Sequence, residues 1–252
     1  MIFNITRRYK YDLKSVELYN EIKNSIKLIA PILQSDCERA LCFLYQTPTE
    51  INVKETKEML EIVYFGMKTF YNLNFQVLII YYFNFCKDLP EYFEDNMKTW
   101  IIIIKGVLEL QNINFKSKSS SKLLRLYINS KCKALKCLNL YCSEYNEELQ
   151  PYIIWLSESV NKLVFEMNVN DDDYFSLNKM ILNFFYNIFE KKRNFNFDGV
   201  FLDNLLHNVI RPNLSPTVKE LDDFIDNPDL YLKTELEDIE PESSKILQFI
   251  FR

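Results

Sequence analysis

The chain has 252 residues, of which 48% are hydrophobic, so it can bury a continuous core in one large domain or a run of stacked repeats. Glycine occurs only at Gly66, Gly106 and Gly199. This scarcity argues against most α/β enzymes, because their ligand-binding loops need glycine at positive φ and at close backbone approaches. The formal net charge of −5 gives no bias toward polyanions, so no nucleic-acid partner is predicted.

Apolar residues recur every three or four positions along most of the chain, which is the spacing of amphipathic helices. The pattern first appears over Glu17–Leu33, where Pro31 is expected to kink or end the helix. The short β-rich runs Val77–Phe85 and Ile101–Ile104 are weak strand signals. Further helices are predicted at Lys54–Asn72, Tyr92–Leu110, Lys122–Tyr141, Leu149–Glu166, Asp173–Glu190, Asp198–Ile210, Pro228–Leu236 and from Ser243 to Phe251.

The connections between these helices are short. Asn168–Asp172 and Lys191–Asp198 read as turns, and Asp171–Asp173 offer side-chain oxygens for the next helix start. Antiparallel helices joined by short loops form hairpins, and successive hairpins stack into a solenoid. The fold class predicted is all-α, an open right-handed α-α superhelix of HEAT or armadillo type. Units of about 40–47 residues would divide residues 1–252 into about five to six helix pairs.

No motif of an enzyme active site occurs in the sequence. A phosphate-binding loop, a dinucleotide-binding glycine pattern and a nucleophile elbow are all missing, and the single histidine, His207, belongs to no triad motif. Cys132, Cys137 and Cys142 are spaced by five, which drifts around a helix and fits no closed zinc site. The sequence therefore predicts reduced thiols, no enzyme activity, no catalytic residue, no cofactor and no metal.

Three charged or apolar clusters have simple structural explanations. Glu91, Glu94 and Asp95 lack the turn glycine of a calcium loop and suit the first turn of a helix that begins near Pro90. Lys116–Lys122 is better explained as a flexible loop between helices than as a nucleic-acid site. Val77–Cys86 is shorter than the roughly 20 residues of a membrane-spanning helix, so no membrane insertion is predicted.

Three segments resemble the exportin-2 family of the importin-β superfamily, in the order in which that family has them. They are Arg8–Lys23, the pair Phe70–Gln76 and Asp88–Trp100, and the pair Val209–Asn213 and Phe224–Tyr231. The second is the most specific, because it reads Phe-Tyr-Asn-Leu-Asn-Phe-Gln and then Asp-Leu-Pro-Glu-Tyr-Phe-Glu-Asp-Asn-Met. The family-motif residues, structural or partner-facing, are Asp88, Leu89, Pro90, Glu91, Phe93, Glu94, Asp95, Asn96, Trp100, Pro212, Asn213, Asp226, Asn227 and Tyr231.

The resemblance implies a nuclear transport receptor that binds importin-α together with RanGTP and shuttles between nucleus and cytoplasm. It implies that the chain is an internal portion of a longer receptor, with weak partner binding alone. In HEAT arrays the second helix of each pair faces partners, which here implicates Lys122–Tyr141 and Asp173–Glu190. Two alternatives remain open, namely another importin-β relative with different cargo and a helical scaffold unrelated to transport.

Two departures from the family pattern stand out. Lys116–Lys122 is basic where the family tends to be acidic. Val77–Lys87 has no counterpart, and joining Gln76 to Asp88 restores the motif without a gap. We therefore expect Val77–Lys87 to be either an insertion or a retained intron, since valine codons begin GT and a lysine codon can end AG. The preceding helix is expected to end near Asn72–Gln76, and the insertion either to prolong it or to form a poorly packed loop.

Overall fold

The computed structural model describes residues 16–46, 53–84, 91–111, 120–166, 175–190, 199–211 and 218–237. Within these ranges all regular structure is helical, and they contain no β-strand. The helices are α1 (Val16–Gln46), α2 (Val53–Asn84), α3 (Glu91–Asp95), α4 (Met97–Glu109), α5 (Ser120–Glu144), α6 (Asn146–Leu149), α7 (Ile153–Glu166), α8 (Phe175–Glu190), α9 (Gly199–Leu205), α10 (Val218–Asp226) and α11 (Pro228–Glu237). A 3₁₀ turn at Gln150–Tyr152 precedes α7, and a π-helical turn at Leu206–Ile210 continues α9.

The long helices stack in two layers. In the first layer α1 packs on α4, α4 on α7, and α7 on α9. In the second layer α2 packs on α5 and α5 on α8. The layers are joined chiefly by α1 against α2 and α4 against α5, which are consecutive helices with short connections. Helices α1, α2, α4 and α5 each pack against their hairpin partner and against their counterpart in the next pair, which is the packing of a helical-repeat solenoid. This confirms the all-α prediction, while the number of repeats across the whole chain stays a prediction.

Helix α1 packs closely against two other helices at positions where a glycine lacks a side chain. Gly66 of α2 faces Cys37 of α1, and Gly106 of α4 faces Leu41 of α1. A Cβ on residue 106 would come within 3.2 Å of the Leu41 Cδ1, and one on residue 66 would collide with the Cys37 Sγ. Two of the three glycines therefore permit helix α1 to pack against its neighbours, a use of glycine that requires no unusual φ.

Several predicted helix boundaries were wrong. Helix α1 continues through Pro31 to Gln46, although proline removes one backbone hydrogen bond and crowds the preceding turn. Ala30 on one side of the proline and Cys37, Ala40 and Leu41 on the other are buried. These side chains bury apolar surface along one face, which offsets the local cost of the proline. The prediction stopped at Leu33 because the residues that follow it are largely polar.

Other differences have local causes. The helix predicted at Tyr92–Leu110 is interrupted by a turn at Asn96, and α5 begins at Ser120, inside the loop predicted for Lys116–Lys122. Helix α2 does not end near Asn72–Gln76 but continues to Asn84, so its backbone takes in part of Val77–Lys87. Helix α10 was not predicted at all. The turns predicted at Asn168–Asp172 and Lys191–Asp198 and the helix from Ser243 to Phe251 lie outside the described residues.

Candidate interaction surface

The residues of the most specific sequence motif meet in the core. The rings of Phe70 and Trp100 are stacked, with centroids 3.6 Å apart and an interplanar angle of 14°. Phe93 meets Phe70 edge to face, with centroids 5.9 Å apart. Tyr141 of α5 lies 6.3 Å from Phe70, and all four side chains are buried. Phe93 and Trp100 are therefore packing residues that join α2, α3, α4 and α5, and they cannot touch a partner of the folded chain.

The polar residues of this motif have different surroundings. Glu94 and Asp95 are exposed, whereas Asn96 is half-buried and its Nδ2 donates to the Tyr92 carbonyl oxygen at 2.9 Å. Glu91 begins helix α3, in the first turn where a carboxylate was expected. The remaining predicted residues Asp88, Leu89 and Pro90 lie outside the described part of the chain. The described residues of the motif thus include two exposed carboxylates, Glu94 and Asp95, and among them no site is assembled.

The third motif forms a helix junction. Asn227 separates α10 from α11, and its Oδ1 accepts a hydrogen bond from the Leu230 backbone N–H at 3.2 Å, as an N-cap does. Tyr231 meets Phe224 edge to face, with ring centroids 5.6 Å apart, and fixes the angle between the two helices. Asp226 is exposed. Pro212 and Asn213 fall outside the described ranges.

The second layer carries a concentration of positive charge that the sequence motifs did not indicate. Helix α5 contains basic residues along its length and a carboxylate only at its end, at Glu144. Its basic residues are Lys122, Arg125, Lys131, Lys133 and Lys136. The chain as a whole has a net charge of −5, so this helix departs from the average charge. The signal was available in the sequence as a run without acidic residues from Lys122 to Ser143, but only the fold shows which of these lysines reach the surface.

Lys133 and Lys136 of α5 lie close to Lys68 of α2. We call these three residues the basic face. The Cys137 Sγ donates to the Met67 carbonyl oxygen at 3.6 Å, so the lysines next to these two residues are brought together. All three side chains are half-buried. The pKa of Lys133 is lowered by burial, then by the charges of Lys136 and Lys68. The basic face is therefore a set of ammonium groups that repel one another.

Helix α8 packs against α5 on the side opposite α2, next to the basic face. The Asn139 Nδ2 donates to the Met180 carbonyl oxygen at 3.0 Å, and Lys179 precedes Met180. Asn139 lies one turn after Lys136, so a single surface runs from α2 across α5 to α8. On the α2 side, Lys68 also lies over the Tyr64 ring, with the Nζ 5.7 Å from its centroid.

Another lysine of α5 is used inside the protein. Lys131 is buried, and its Nζ donates to the carbonyl oxygens of Leu108 and Leu110 at 2.6 and 2.8 Å. The Tyr127 hydroxyl also donates to the Leu110 oxygen, at 2.6 Å. These carbonyls are at the C-terminal end of α4, where a cation is favoured by the helix dipole. Lys131 is therefore a structural residue that joins α4 to α5.

The first layer contains a network of charges that pair within the chain. Lys105 and Glu109 of α4 form an ion pair, and the Lys105 Nζ lies 4.8 Å from the centroid of the Trp155 ring in α7. The Glu109 carboxylate also accepts a hydrogen bond from the Ser159 hydroxyl at 2.9 Å and lies 3.7 Å from the Lys162 Nζ. This network joins α4 to α7 and places its two lysines against a carboxylate, in contrast to the basic face.

The described residues contain no arrangement that indicates catalysis or metal binding. Within them, no group of His, Cys, Asp and Glu side chains is placed to hold a metal ion. The exposed His207 has its Nδ1 3.2 Å from the Asp203 carboxylate, one helical turn away, and 2.9 Å from the Asp203 carbonyl oxygen. None of the five described cysteines forms a disulfide bond, and burial raises the pKa of the Cys37 thiol to about 12. No helix in the described ranges is sufficiently long and apolar to cross a membrane.

A two-layered helical-repeat stack with a charged second layer belongs to the class of solenoid binding proteins. The chain belongs to the Cse1 family, whose sequence model matches residues 5–246. It is 29% identical over 245 residues to exportin-2 of Oreochromis niloticus, an alignment that covers 93% of this chain and 23% of that protein. Exportin-2 of Homo sapiens is 26% identical over 250 residues, with the same coverage. The chain thus spans about a quarter of the length of these relatives. No solved structure matches the chain.

Proposed function

We propose that this chain is a segment of a nuclear transport receptor that exports importin-α from the nucleus together with RanGTP. The observation that carries the proposal is the match to the Cse1 family over residues 5–246, with curated relatives named exportin-2. The receptor shuttles between nucleus and cytoplasm, and it acts by binding and release, without catalysis of its own.

The fold supports a binding mechanism. Each helix pair contacts chiefly its neighbours, so small changes in packing along such a stack add up to a change of shape. When two partners bind the same shape, the first reduces the cost of ordering that the second must meet, and the two binding events are positively coupled. The polar side chains of α5 and α8 in the second layer are the part of this segment that we expect to face partners.

We expect residues 1–252 alone to bind these partners weakly, because the chain spans only 23% of the relatives' length and the partners bind cooperatively. A pull-down of residues 1–252 with importin-α should recover little protein, with little gain from RanGTP. Tight binding that RanGTP stimulates would contradict this expectation.

The transport function itself is tested in a complete receptor. The aligned segment of human exportin-2 is replaced by residues 1–252, and binding of importin-α is measured with and without RanGTP. We expect the chimera to bind importin-α and RanGTP cooperatively, as the unmodified receptor does in parallel. A folded chimera that binds RanGTP but not importin-α would favour the alternative of another importin-β relative with different cargo. A folded chimera that binds neither partner would favour a scaffold outside transport.

A further inference from the structure

The fold holds the basic face together, and within it Lys68 also lies over the Tyr64 ring. Lys68 and Lys136 flank the contact between Cys137 and Met67, and Lys133 lies one turn before Cys137 on the same helix. By contrast, Lys131 caps the end of α4, and Lys105 pairs with Glu109. Among the described residues, Lys133 and Lys136 form no ion pair with a carboxylate.

Repulsion between the neighbouring ammonium groups of the basic face raises the free energy of the folded chain. Burial and the neighbouring ammonium groups both disfavour the charged form of Lys133, and its pKa is lowered accordingly. An anion placed against the three lysines would remove this repulsion and would gain from the partly desolvated position of Lys133. Association therefore relieves a cost that the free chain bears.

From this placement we infer that the basic face binds an acidic segment of a protein partner. The surface runs from α2 across α5 to α8, and the half-buried Asn139 adds an amide beside the lysines. Carboxylates spaced along such a peptide would meet ammonium groups on neighbouring helices. The inference does not depend on importin-α or Ran, so it stands apart from the proposed transport function.

The same surface is poorly suited to nucleic acid. Carboxylates stand at both ends of the second layer, at Glu55, Glu58 and Glu61 of α2 and at Glu190 of α8. They would repel a polyanion that extends beyond the lysines. The Tyr71 and Phe75 rings of α2 stack on each other, with centroids 5.7 Å apart, instead of lying open for bases. A short acidic peptide can end before these carboxylates, whereas a long nucleic acid cannot.

The experiment compares two double variants of the 252-residue chain with the same change in net charge. Lys133→Gln with Lys136→Gln neutralises the basic face, and Lys27→Gln with Lys98→Gln removes two exposed charges from α1 and α4 in the first layer. Binding of a fluorescein-labelled peptide of alternating Glu and Ser is followed by anisotropy at low and physiological salt. Labelled single-stranded DNA and a matching Lys-Ser peptide are the other probes. Melting temperatures establish that each variant is folded.

We expect the Glu-Ser peptide to bind, and the variant of the basic face to weaken binding about tenfold, because two of the three ammonium groups that would pair with its carboxylates are removed. The first-layer variant should change the affinity by less than about twofold, because distant charges are screened. Neutralising the basic face should leave the melting temperature unchanged or raise it, because repulsion is relieved. Equal weakening by both variants, tighter binding of DNA or of the Lys-Ser peptide, or no binding of the Glu-Ser peptide would each overturn the inference.

Discussion

Gly66 of helix α2 faces the Cys37 thiol of helix α1 so closely that a methyl group on residue 66 would overlap the sulfur. We predict that Gly66→Ala destabilises the protein, although alanine is favoured over glycine inside a helix by about 1 kcal/mol. The overlap lies between two packed helices, and overpacking of this kind costs about 1–3 kcal/mol. Urea unfolding followed by circular dichroism measures the free energy of unfolding, which we expect to fall in the variant.

The origin of this effect can be isolated with a double-mutant cycle. In a Cys37→Ala background the sulfur is gone, and we expect Gly66→Ala to become at least about 1 kcal/mol less destabilising. Gly199→Ala is the matched control, because a Cβ there meets nothing within 4 Å, and we expect it to be nearly neutral. An equal loss in both backgrounds would show that the Cys37 contact is not the cause.

The stacking of Trp100 on Phe70 predicts a large loss of stability when Trp100 is truncated. Trp100 is completely buried between α2 and α5, so Trp100→Ala should cost about 3–5 kcal/mol. Ile102→Ala on the same helix is the control, since Ile102 is 50% exposed and should cost less than about 1 kcal/mol. The fluorescence of Trp155, which remains in both variants, reports unfolding in urea. Similar losses in the two variants would contradict a core role for the motif.

Lys131 provides a test of a buried cation that satisfies backbone carbonyls. Lys131→Met keeps much of the apolar stem but leaves the Leu108 oxygen without this donor, so the free energy of unfolding should fall by about 1–3 kcal/mol. Lys122→Met, at an exposed position of the same helix, should have little effect. Thermal melts of both variants measure the difference. A Lys131→Met variant at least as stable as the original chain would mean that the cost of burying the cation exceeds the gain from its hydrogen bonds.

Glu109 predicts a dependence of stability on pH. Burial raises its pKa, but hydrogen bonds from Lys105 and Ser159 and the charges of Lys105 and Lys162 outweigh burial, so the pKa lies below its ordinary value of 4.5. The folded state therefore favours the carboxylate, and this contribution is present above the unfolded pKa and is lost as pH falls through the folded pKa.

The comparison is between the original chain and Glu109→Gln, unfolded in urea from about pH 7 down to about pH 3. We expect the original chain to be the more stable near neutral pH and the difference to shrink below the ordinary pKa of 4.5. Glu58→Gln, at an exposed position of α2, should show no such trend. A difference that stays constant with pH would show that the network does not act through the charge of Glu109.

The sequence predicted the helices better than their limits or their surfaces. Apolar spacing located α5, α7 and α8 within a few residues, because those helices bury one face in the core. It failed at Pro31, where tertiary burial on both sides of the proline outweighs the local preference to end the helix. It also failed at Val218–Asp226, where the apolar residues Phe224 and Ile225 are exposed and acidic residues flank them.

The candidate site was only partly predictable. The resemblance drew attention to conspicuous motif residues, but Phe93 and Trp100 turned out to be buried packing residues. The basic face depends on Lys68 of α2 meeting Lys133 and Lys136 of α5. Residues on different helices are brought together only by tertiary packing, which helical periodicity does not report. Lys131 is a buried lysine of α5 because its ammonium group reaches a carbonyl oxygen near the end of α4. This contact likewise depends on tertiary packing.

The last prediction concerns Val77–Lys87, which interrupts the motif formed by Phe70–Gln76 and Asp88–Trp100. The two halves of that motif meet in the core through Phe70, Phe93 and Trp100. Gln76 comes after Phe70 along the chain, and Asp88 comes before Phe93 and Trp100. The backbone of Val77–Asn84 prolongs helix α2 by eight residues, about 12 Å at the rise of an α-helix. We therefore expect a deletion that joins Gln76 to Asp88 to keep the aromatic contacts, because it removes only chain that lies between the contacting residues in sequence.

We predict that deleting residues 77–87 leaves the melting temperature unchanged and improves solubility, because an apolar run without a reserved place in the core promotes aggregation. Deleting an equally long stretch inside α5, Lys122–Cys132, is the control and should abolish folding, since that helix carries core residues such as Tyr127. If Val77–Lys87 instead packs as a true insertion, its removal should cost several kcal/mol through the loss of buried aromatic surface and should clearly lower the melting temperature.

Sequencing transcripts across the junction tests the retained-intron hypothesis directly, since splicing would join the codons for Gln76 and Asp88. A clear drop in melting temperature together with no spliced transcript would overturn both parts of the prediction.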